Sequence, residues 1–367
     1  MILSTEELHR YDRQMLMSEF GLGGQEQLKQ AKILVIGCGG LGSPVLLYLT
    51  AAGVGTLGIV ENDIIDISNL QRQILYNTAS VGISKIDETE KRLKALNPFV
   101  EIQKYPVRLS SENALTIIKD YDIVVDGTDN FPTRYLVNDA CVILNKPFIY
   151  GAIHRFEGQV AVFNYKGSAT YRDLFPQPPP PEQAPNCAEA GVLGVLPGII
   201  GSMQALEAMK VITGIGEPLA GKLLMLDTLS MQNRIIKIPV IPDSPKITTL
   251  INYEVFCGVQ ENKKEVEEIT YEELLELQSQ NLSNTDISYQ LIDVREPHEF
   301  AVRNIGGELM PLSELEKHLP EISQDKTVVI HCQSGIRSMR AIKLLKEKYG
   351  YQNLINLKGG IAAINTL

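Results

Sequence analysis

The sequence predicts an α/β protein in two parts. A large unit carries a mainly parallel sheet with an antiparallel addition, and a smaller α/β unit follows it. Three observations carry this expectation. Over the first 260 residues, short apolar runs alternate with helical patterns, as a parallel sheet with crossover helices requires. The first clear run, Ile33-Leu34-Val35-Ile36, ends in a glycine-rich turn, Gly37-Cys38-Gly39-Gly40-Leu41-Gly42-Ser43, and continues into a helical stretch rich in Leu and Ala. A charged segment, Glu261-Asn262-Lys263-Lys264-Glu265, then precedes a further block with its own strand and helix patterns.

In the first unit, strands are predicted at 33–36, 56–61, 123–126, 148–151 and 159–163, with 222–227 and 235–240 as the antiparallel addition. Residues 197–213 read as a long helix with Pro197 at its start, where the missing N–H costs nothing. The run Pro176-Gln177-Pro178-Pro179-Pro180-Pro181, followed by Gln183-Ala184-Pro185, excludes helix and central strand and predicts a stiff crossover loop. A proline-recognition ligand is the alternative, but the run lies inside a domain. In the second unit, strands are expected near 289–293 and 328–331 and helices near 271–277 and 336–349. The division expected is 1–259, a linker at 260–268, and 269–367.

The chain has 367 residues and a formal net charge of −10, so it lacks the basic footprint of a nucleic-acid or anionic-membrane binder. Its five cysteines (Cys38, Cys141, Cys187, Cys257, Cys332) are widely spaced and contain no C-x-x-C, which argues against a disulfide framework and for a reducing, cytoplasmic setting. The first ten residues are polar and read as a capped helix, Ser4-Thr5-Glu6-Glu7, rather than a secretory signal. Residues 33–60 are uncharged and long enough to span a membrane. Their seven glycines and Pro44 instead fit strand–turn–helix–turn–strand.

A glycine-rich strand-to-helix turn lets phosphates approach backbone N–H groups at a helix N-terminus, and alone it suggests a dinucleotide. Downstream residues change the ligand class. Glu61 ends the second strand, where an acid meets ribose hydroxyls. Ser68-Asn69-Leu70-Gln71-Arg72-Gln73 adds a cation and amide donors, Val81-Gly82-Ile83-Ser84-Lys85 adds a second cation, and Asp126-Gly127-Thr128-Asp129-Asn130 adds a carboxylate able to hold Mg²⁺. Each has a plainer reading as a solvated charge or a strand-end cap. Together they suit a triphosphate.

These motifs, with Arg10-Tyr11-Asp12-Arg13-Gln14 and Gly191-Val192-Leu193-Gly194-Val195-Leu196-Pro197-Gly198, closely resemble the MoeB/ThiF/HesA group of ubiquitin-activating-enzyme-like adenylyltransferases over about residues 5–258. The resemblance implies a Rossmann-like adenylation domain that uses Mg·ATP to activate the C-terminal Gly-Gly of a ubiquitin-like carrier. It puts Gly40 and Gly42 in the phosphate loop and Glu61 at the ribose, where many relatives have Asp. Asn69, Arg72, Gln73 and Lys85 fall on the triphosphate, Asp129 on Mg²⁺, and Asn130 beside the nucleotide. Arg13 would enter the neighbouring subunit's site, which implies a homodimer. Cys187, in Asn186-Cys187-Ala188-Glu189, matches a crossover-loop cysteine that forms a thioester in ubiquitin-activating enzymes; a small buried residue is the alternative. Relatives often hold a structural zinc on two C-x-x-C pairs. The corresponding positions here read Thr170-Tyr171-Arg172-Asp173 and Glu254-Val255-Phe256-Cys257, so no structural zinc is expected.

Near the C-terminal end, His331-Cys332-Gln333-Ser334-Gly335-Ile336-Arg337-Ser338 follows a strand and opens a helix. It sets one thiol among loop N–H groups, at a helix N-terminus and near Arg337, all of which favour a thiolate. With Leu291-Ile292-Asp293-Val294-Arg295-Glu296-Pro297-His298-Glu299-Phe300 and Leu357-Lys358-Gly359-Gly360, this stretch resembles a rhodanese domain over about 268–367, with Asp293 and Arg295 buttressing the loop. Four residues separate Cys332 from Arg337, one fewer than in a cysteine-phosphatase loop, which favours sulfur over phosphate. Ile364 stands where many rhodaneses have Trp, so a short last helix is expected.

The resemblances imply adenylation of a Gly-Gly-ended sulfur carrier, followed by sulfur transfer from a Cys332 persulfide, with a cysteine desulfurase as expected donor. The spelling SNLQRQ with GVLGVLPG favours the molybdenum-cofactor branch, with thiamine-thiazole and tRNA-thiolation carriers as alternatives. An NAD-dependent oxidoreductase fused to a sulfurtransferase leaves Arg13, Arg72 and Lys85 without a role. A non-catalytic scaffold is the other rival.

Overall fold

The computed structural model describes residues 2–179, 191–242, 246–258, 266–281 and 289–364. Backbone contacts divide the chain into two compact units, Met1–Cys257 and Gly258–Leu367.

The first unit opens with helix α1 (Thr5–Met15), whose Ser4 and Glu7 form a reciprocal capping box, and α2 (Gly21–Gln30). Then come β1 (Lys32–Ile36), α3 (Gly42–Ala52), β2 (Thr56–Val60), α4 (Lys85–Leu96), β3 (Glu101–Tyr105), α5 (Ala114–Ile118), β4 (Ile123–Asp126), α6 (Phe131–Ile143), β5 (Phe148–His154) and β6 (Glu157–Phe163). The unit ends with α7 (Tyr171–Leu174), α8 (Val195–Thr213), β7 (Lys222–Asp227), β8 (Gln232–Lys237) and α9 (Tyr253–Phe256). The uncharged stretch 33–60 is thus strand, helix and strand.

One sheet of eight strands runs in the order β3-β2-β1-β4-β5-β6-β7-β8. The first five are mutually parallel and β6, β7 and β8 are antiparallel. The antiparallel part therefore starts one strand earlier than the sequence suggested, because only two residues separate β5 from β6 and a hairpin is the connection they permit. Strand β3 was not anticipated: Glu101-Ile102-Gln103-Lys104-Tyr105 is an edge strand and lacks the apolar run of a buried one. Two hydrophobic layers sandwich the sheet, one around Val35, Leu46, Leu49 and Ile59, the other around Leu34, Val124, Phe148 and Phe163.

Helix α8 is long and apolar enough to cross a membrane by length and composition. Its buried face packs here against the sheet, and Gln204 Nε2 donates to Asp126 O at 2.7 Å.

The two segments at which the resemblance led a metal site to be considered, 170–173 and 254–257, meet in space through side chains other than thiolates. Arg172 on α7 makes a two-pronged pair with Asp139 on α6 at 2.7 and 2.8 Å, and the Tyr253 hydroxyl donates to Asp139 Oδ2 at 2.8 Å. The guanidinium lies over Tyr135 and Phe256, and Tyr135 packs edge-on against Tyr171. Asp173 accepts from Thr170, and Glu254 pairs with Arg108. The Cys257 thiol is buried, which pushes its pKa up to about 12.

The second unit contains β9 (Glu267–Ile269), α10 (Tyr271–Asn281), β10 (Tyr289–Asp293), α11 (Pro297–Val302), β11 (Glu308–Leu309), β12 (Thr327–His331), α12 (Ile336–Tyr349) and β13 (Leu354–Leu357). Its all-parallel sheet has the order β11-β10-β12-β13-β9. Glu267 and Glu268, which the sequence reading placed in the linker, belong to β9 because they pair with Ile355 and Asn356. A 3₁₀ turn, Gly360–Ala363, stands where a short last helix was expected.

His331, at the end of β12, is fully buried, with Nδ1 3.9 Å from Asp293 Oδ1. Burial lowers its pKa from 6.5 to about 4, with Asp293 opposing the shift and Arg295 adding to it.

Two outcomes follow from these buried charges. Asp139→Ala leaves Arg172 and the Tyr253 hydroxyl without their acceptor and is expected to cost about 3 kcal/mol, read as a lowered urea midpoint for the first unit. His331 binds its proton more weakly in the folded state, so its contribution is complete above pH 6.5 and lost as pH falls towards about 4. Stability measured across that window should fall less steeply in His331→Gln than in the parent.

Candidate active sites

Strand order in the first sheet reverses at the β1/β4 boundary, and open α/β sheets bind ligands in the crevice beyond the carboxyl ends of strands at such a point. The loops after β1 and β4 meet there backbone to backbone. Gly127 N donates to Ile36 O at 2.8 Å. Gly37 adopts φ 90°, and a Cβ on Gly42 would stand 1.9 Å from Gly37 O, so glycine is required at both positions. The N-terminus of α3 thereby opens directly off the loop; Ser43 N donates to Gly39 O at 2.9 Å and Pro44 has no N–H, so the amides left to serve an anion are those from Gly39 to Gly42.

Around this loop the predicted residues gather. Gly40 lies beneath Pro197 of α8, and a Cβ there would be 3.6 Å from Arg72 Cδ. Arg72 Nη1 donates to Ser68 O at 3.1 Å. Asn69 Oδ1 accepts from Asp66 N, which closes the turn that presents Arg72. Gln73 is buried against Gly39, and its Oε1 has no hydrogen-bond partner, a polar atom that a ligand could satisfy. Lys85, at the start of α4, is buried and pairs with Asp63 at 3.0 Å. Glu61 accepts from Cys38 N at 3.0 Å and from Asn62 N and Asp63 N, so it braces the glycine loop from the end of β2.

Asp129 and Asn130 are exposed on the loop after β4, and Asn130 caps α6 through Thr133 N. That loop is held from below by a pair the sequence reading missed. Asp126 is fully buried and accepts from Arg134 Nε at 3.0 Å and from Thr128 N at 2.9 Å, while Arg134 Nη2 donates to Thr128 O at 3.2 Å. Arg134 lies on the inward face of α6 and is the first charged residue after Asp129, a signal that was available in the spacing.

Arg13 is exposed on α1, away from this cluster. Gln14 and Tyr11, its neighbours, contact the C-terminal end of α3 at Ala52 and Gly53. At 1.5 Å per residue, the length of α3 puts about 15 Å between that end and the glycine loop. Cys187 lies outside the described residues.

In the second unit, strand order reverses between β10 and β12, and Cys332 follows β12 at that point. Gly335, at φ 86°, turns the loop back so that its N–H donates to Cys332 Sγ at 3.1 Å. Ile361 N and Ala362 N tie down the carbonyls of Cys332 and Gln333. Arg295 is buried against Asp293 at 2.7 Å and reaches Gln333 Oε1 at 3.5 Å, the buttressing role expected of this pair. Ser334 is half-buried at the bend.

One expectation changes here. Arg337 pairs with Glu299 through both nitrogens, at 2.6 and 2.7 Å, and this pairing holds the Glu299 carboxyl below the usual range. The Arg337 charge is therefore matched by a carboxylate and does not act alone on Cys332. The sulfur is also fully buried.

Residues 11–246 match the ThiF family, and residues 270–366 match the rhodanese-like domain. The probable adenylyltransferase/sulfurtransferase MoeZ of Mycobacterium tuberculosis is 45% identical over 372 residues, covering 98% of this chain and 93% of its own length. The sulfur carrier protein adenylyltransferase of Thermus thermophilus is 54% identical over 268 residues, covering 70% of this chain and 99% of its own. Among solved structures, Escherichia coli MccB crystallised with ATP superposes with a TM-score of 0.56 at 21% identity, over 62% of this chain and 69% of that one, a likeness of fold. The chain belongs to the ThiF family, continues into a rhodanese domain, and is an adenylyltransferase and sulfurtransferase.

Proposed function

We propose that the first unit adenylates the C-terminal Gly-Gly carboxylate of a ubiquitin-like sulfur carrier, and that Cys332 then delivers sulfur to it. The observation that carries the first half is the convergence of the glycine loop, Arg72, Lys85 and Gln73 at one strand-order reversal.

In this reading, the loop amides from Gly39 to Gly42 cradle the phosphates of ATP, while Arg72 and Lys85 offset charge and the side-chain NH₂ groups of Asn69 and Gln73 donate hydrogen bonds as the α-phosphorus is attacked. Glu61 receives the ribose hydroxyls and Asn130 flanks the nucleotide. The exposed carboxylate of Asp129 would hold the Mg²⁺ that accompanies ATP, where it would neutralise the departing pyrophosphate. A carrier carboxylate oxygen displaces pyrophosphate and leaves an acyl adenylate. The terminal sulfur of a Cys332 persulfide then attacks the acyl carbon and expels AMP. An external dithiol cleaves the resulting acyl disulfide with two electrons, yielding the thiocarboxylate and the Cys332 thiol. A cysteine desulfurase is the donor we assign to the persulfide, and the molybdenum-cofactor carrier is favoured over the thiamine and tRNA-thiolation carriers on the motif spelling. Cys187 is a candidate for a covalent relay between the two halves. No structural zinc is assigned, since the Asp139–Arg172–Tyr253 cluster occupies the aligned segments.

Arg13 is read as acting in a second copy of the chain. Support comes from its distance from its own glycine loop and from the exposed apolar residues beside it, Leu16, Met17 and Tyr48.

Asp129→Ala is expected to lower carrier-dependent ATP–pyrophosphate exchange by about a hundredfold or more while leaving thiosulfate sulfurtransferase activity intact; Cys332→Ala should do the reverse. Loss of both activities from either change would overturn the two-site division, and absence of exchange with any Gly-Gly-ended carrier would overturn the first half. Arg13→Ala and Asp129→Ala proteins, each inactive alone, should regain about a quarter of parental exchange on mixing if one functional site forms per mixed dimer and half the molecules pair so. No recovery after subunit exchange would exclude action in the second copy.

A further inference from the structure

Cys332 sits at the end of a hydrogen-bond chain that its sulfur-carrying role, as described above, does not use. Its Sγ accepts from Gly335 N at 3.1 Å and lies 3.5 Å from Ser338 Oγ. The same hydroxyl stands 2.6 Å from Asn356 Oδ1 and 3.1 Å from Gly335 O. Asn356 Nδ2 donates to Glu268 Oε1 at 3.0 Å. Cys332, Ser338 and Asn356 are all fully buried, so bulk water does not substitute for a missing partner among them, while Glu268 at the far end is exposed.

A serine hydroxyl carries one proton, and three acceptors compete for it. The shortest contact is with Asn356 Oδ1. Asn356 presents its oxygen there because its Nδ2 end is held by Glu268 Oε1, which accepts from it. The Ser338 proton is thereby directed away from the sulfur. Gly335 N–H remains the fixed donor to it.

We propose that Glu268 is a positioning residue: acting through Asn356 and Ser338, it withholds the Ser338 hydroxyl from Cys332 and so sets how readily the thiol gives up its proton. A hydrogen bond to the charged form would favour the thiolate, and the chain as built diverts that bond. The inference deepens the reading of Cys332 as the sulfur-carrying residue and rests on it for its functional meaning.

The other charged groups around the loop stay constant in the test. They are the Asp293–Arg295 pair from β10 and the turn after it, the Glu299–Arg337 pair from α11 and α12, and His331, which burial keeps neutral near pH 7.

The test is the pH dependence of iodoacetamide alkylation at Cys332 in the full-length chain, followed by peptide mass spectrometry so that other cysteines do not contribute. Burial slows reaction in every variant, so the midpoint is read rather than the rate. In Glu268→Gln the Asn356 amide can turn, the Ser338 proton can reach the sulfur, and the midpoint should fall by about one pH unit. Glu268→Asp retains an acceptor-only group and should keep the parental midpoint. Glu268→Gln combined with Ser338→Ala should lose the fall. An unchanged or raised midpoint in Glu268→Gln, a fall that persists in the double variant, or equal shifts in Glu268→Gln and Glu268→Asp would each overturn the proposal. Alkylation reads the thiol itself, so this result is separate from whether Cys332 carries sulfur, which Cys332→Ala decides.

Discussion

The crevice at the β1/β4 reversal depends on a contact in which side chains are excluded. Gly37, Gly42 and Gly127 bring the loops after β1 and β4 together at backbone distance, and a methyl group on Gly42 would collide with Gly37 O. That approach lets α3 begin shortly after β1, with the loop amides from Gly39 to Gly42 turned to the crevice. It also brings the loop of Asp129 and Asn130 to the same crevice. Without it, Arg72, Gln73 and Lys85 would surround nothing.

Both units use the same device to stiffen a functional loop. In each, the last residue of a central parallel strand is a fully buried Asp paired to an Arg further along the chain: Asp126 with Arg134, and Asp293 with Arg295. In each, the Arg also reaches the working loop, at Thr128 O in the first case and at the Gln333 side chain in the second. A buried ion pair contributes little net stability, but breaking it is costly. Its effect here is to hold loop geometry. The groups that would do chemistry, Asp129 and Cys332, are left out of these pairs.

The Asp139 cluster is a crosslink between helices built from an ion pair, a hydrogen bond and aromatic rings. Helices α6, α7 and α9 meet around a carboxylate, a guanidinium and stacked aromatic rings. Arg suits the role because its planar group pairs with Asp139 on its edge while its face packs on Tyr135 and Phe256. The remaining thiol, Cys257, is simply buried.

The sequence by itself determined the two α/β units, most strands of the parallel core, and the residue types at both sites, because buried strands and glycine turns are local signals that tertiary context rarely overrides. It missed β3, β9, β11 and β13, which are short or lie at sheet edges, and it started the antiparallel addition one strand late. What only the tertiary structure decided is pairing. Arg134 beneath the Asp129 loop, Glu299 on Arg337, and the line from Glu268 through Asn356 and Ser338 to Cys332 join residues up to 88 positions apart. A charged or polar side chain has the same spelling whether it is solvated, paired or relayed. Its electrostatic effect depends on its nearest neighbour in space, and neighbours across a sheet are set by strand order and register.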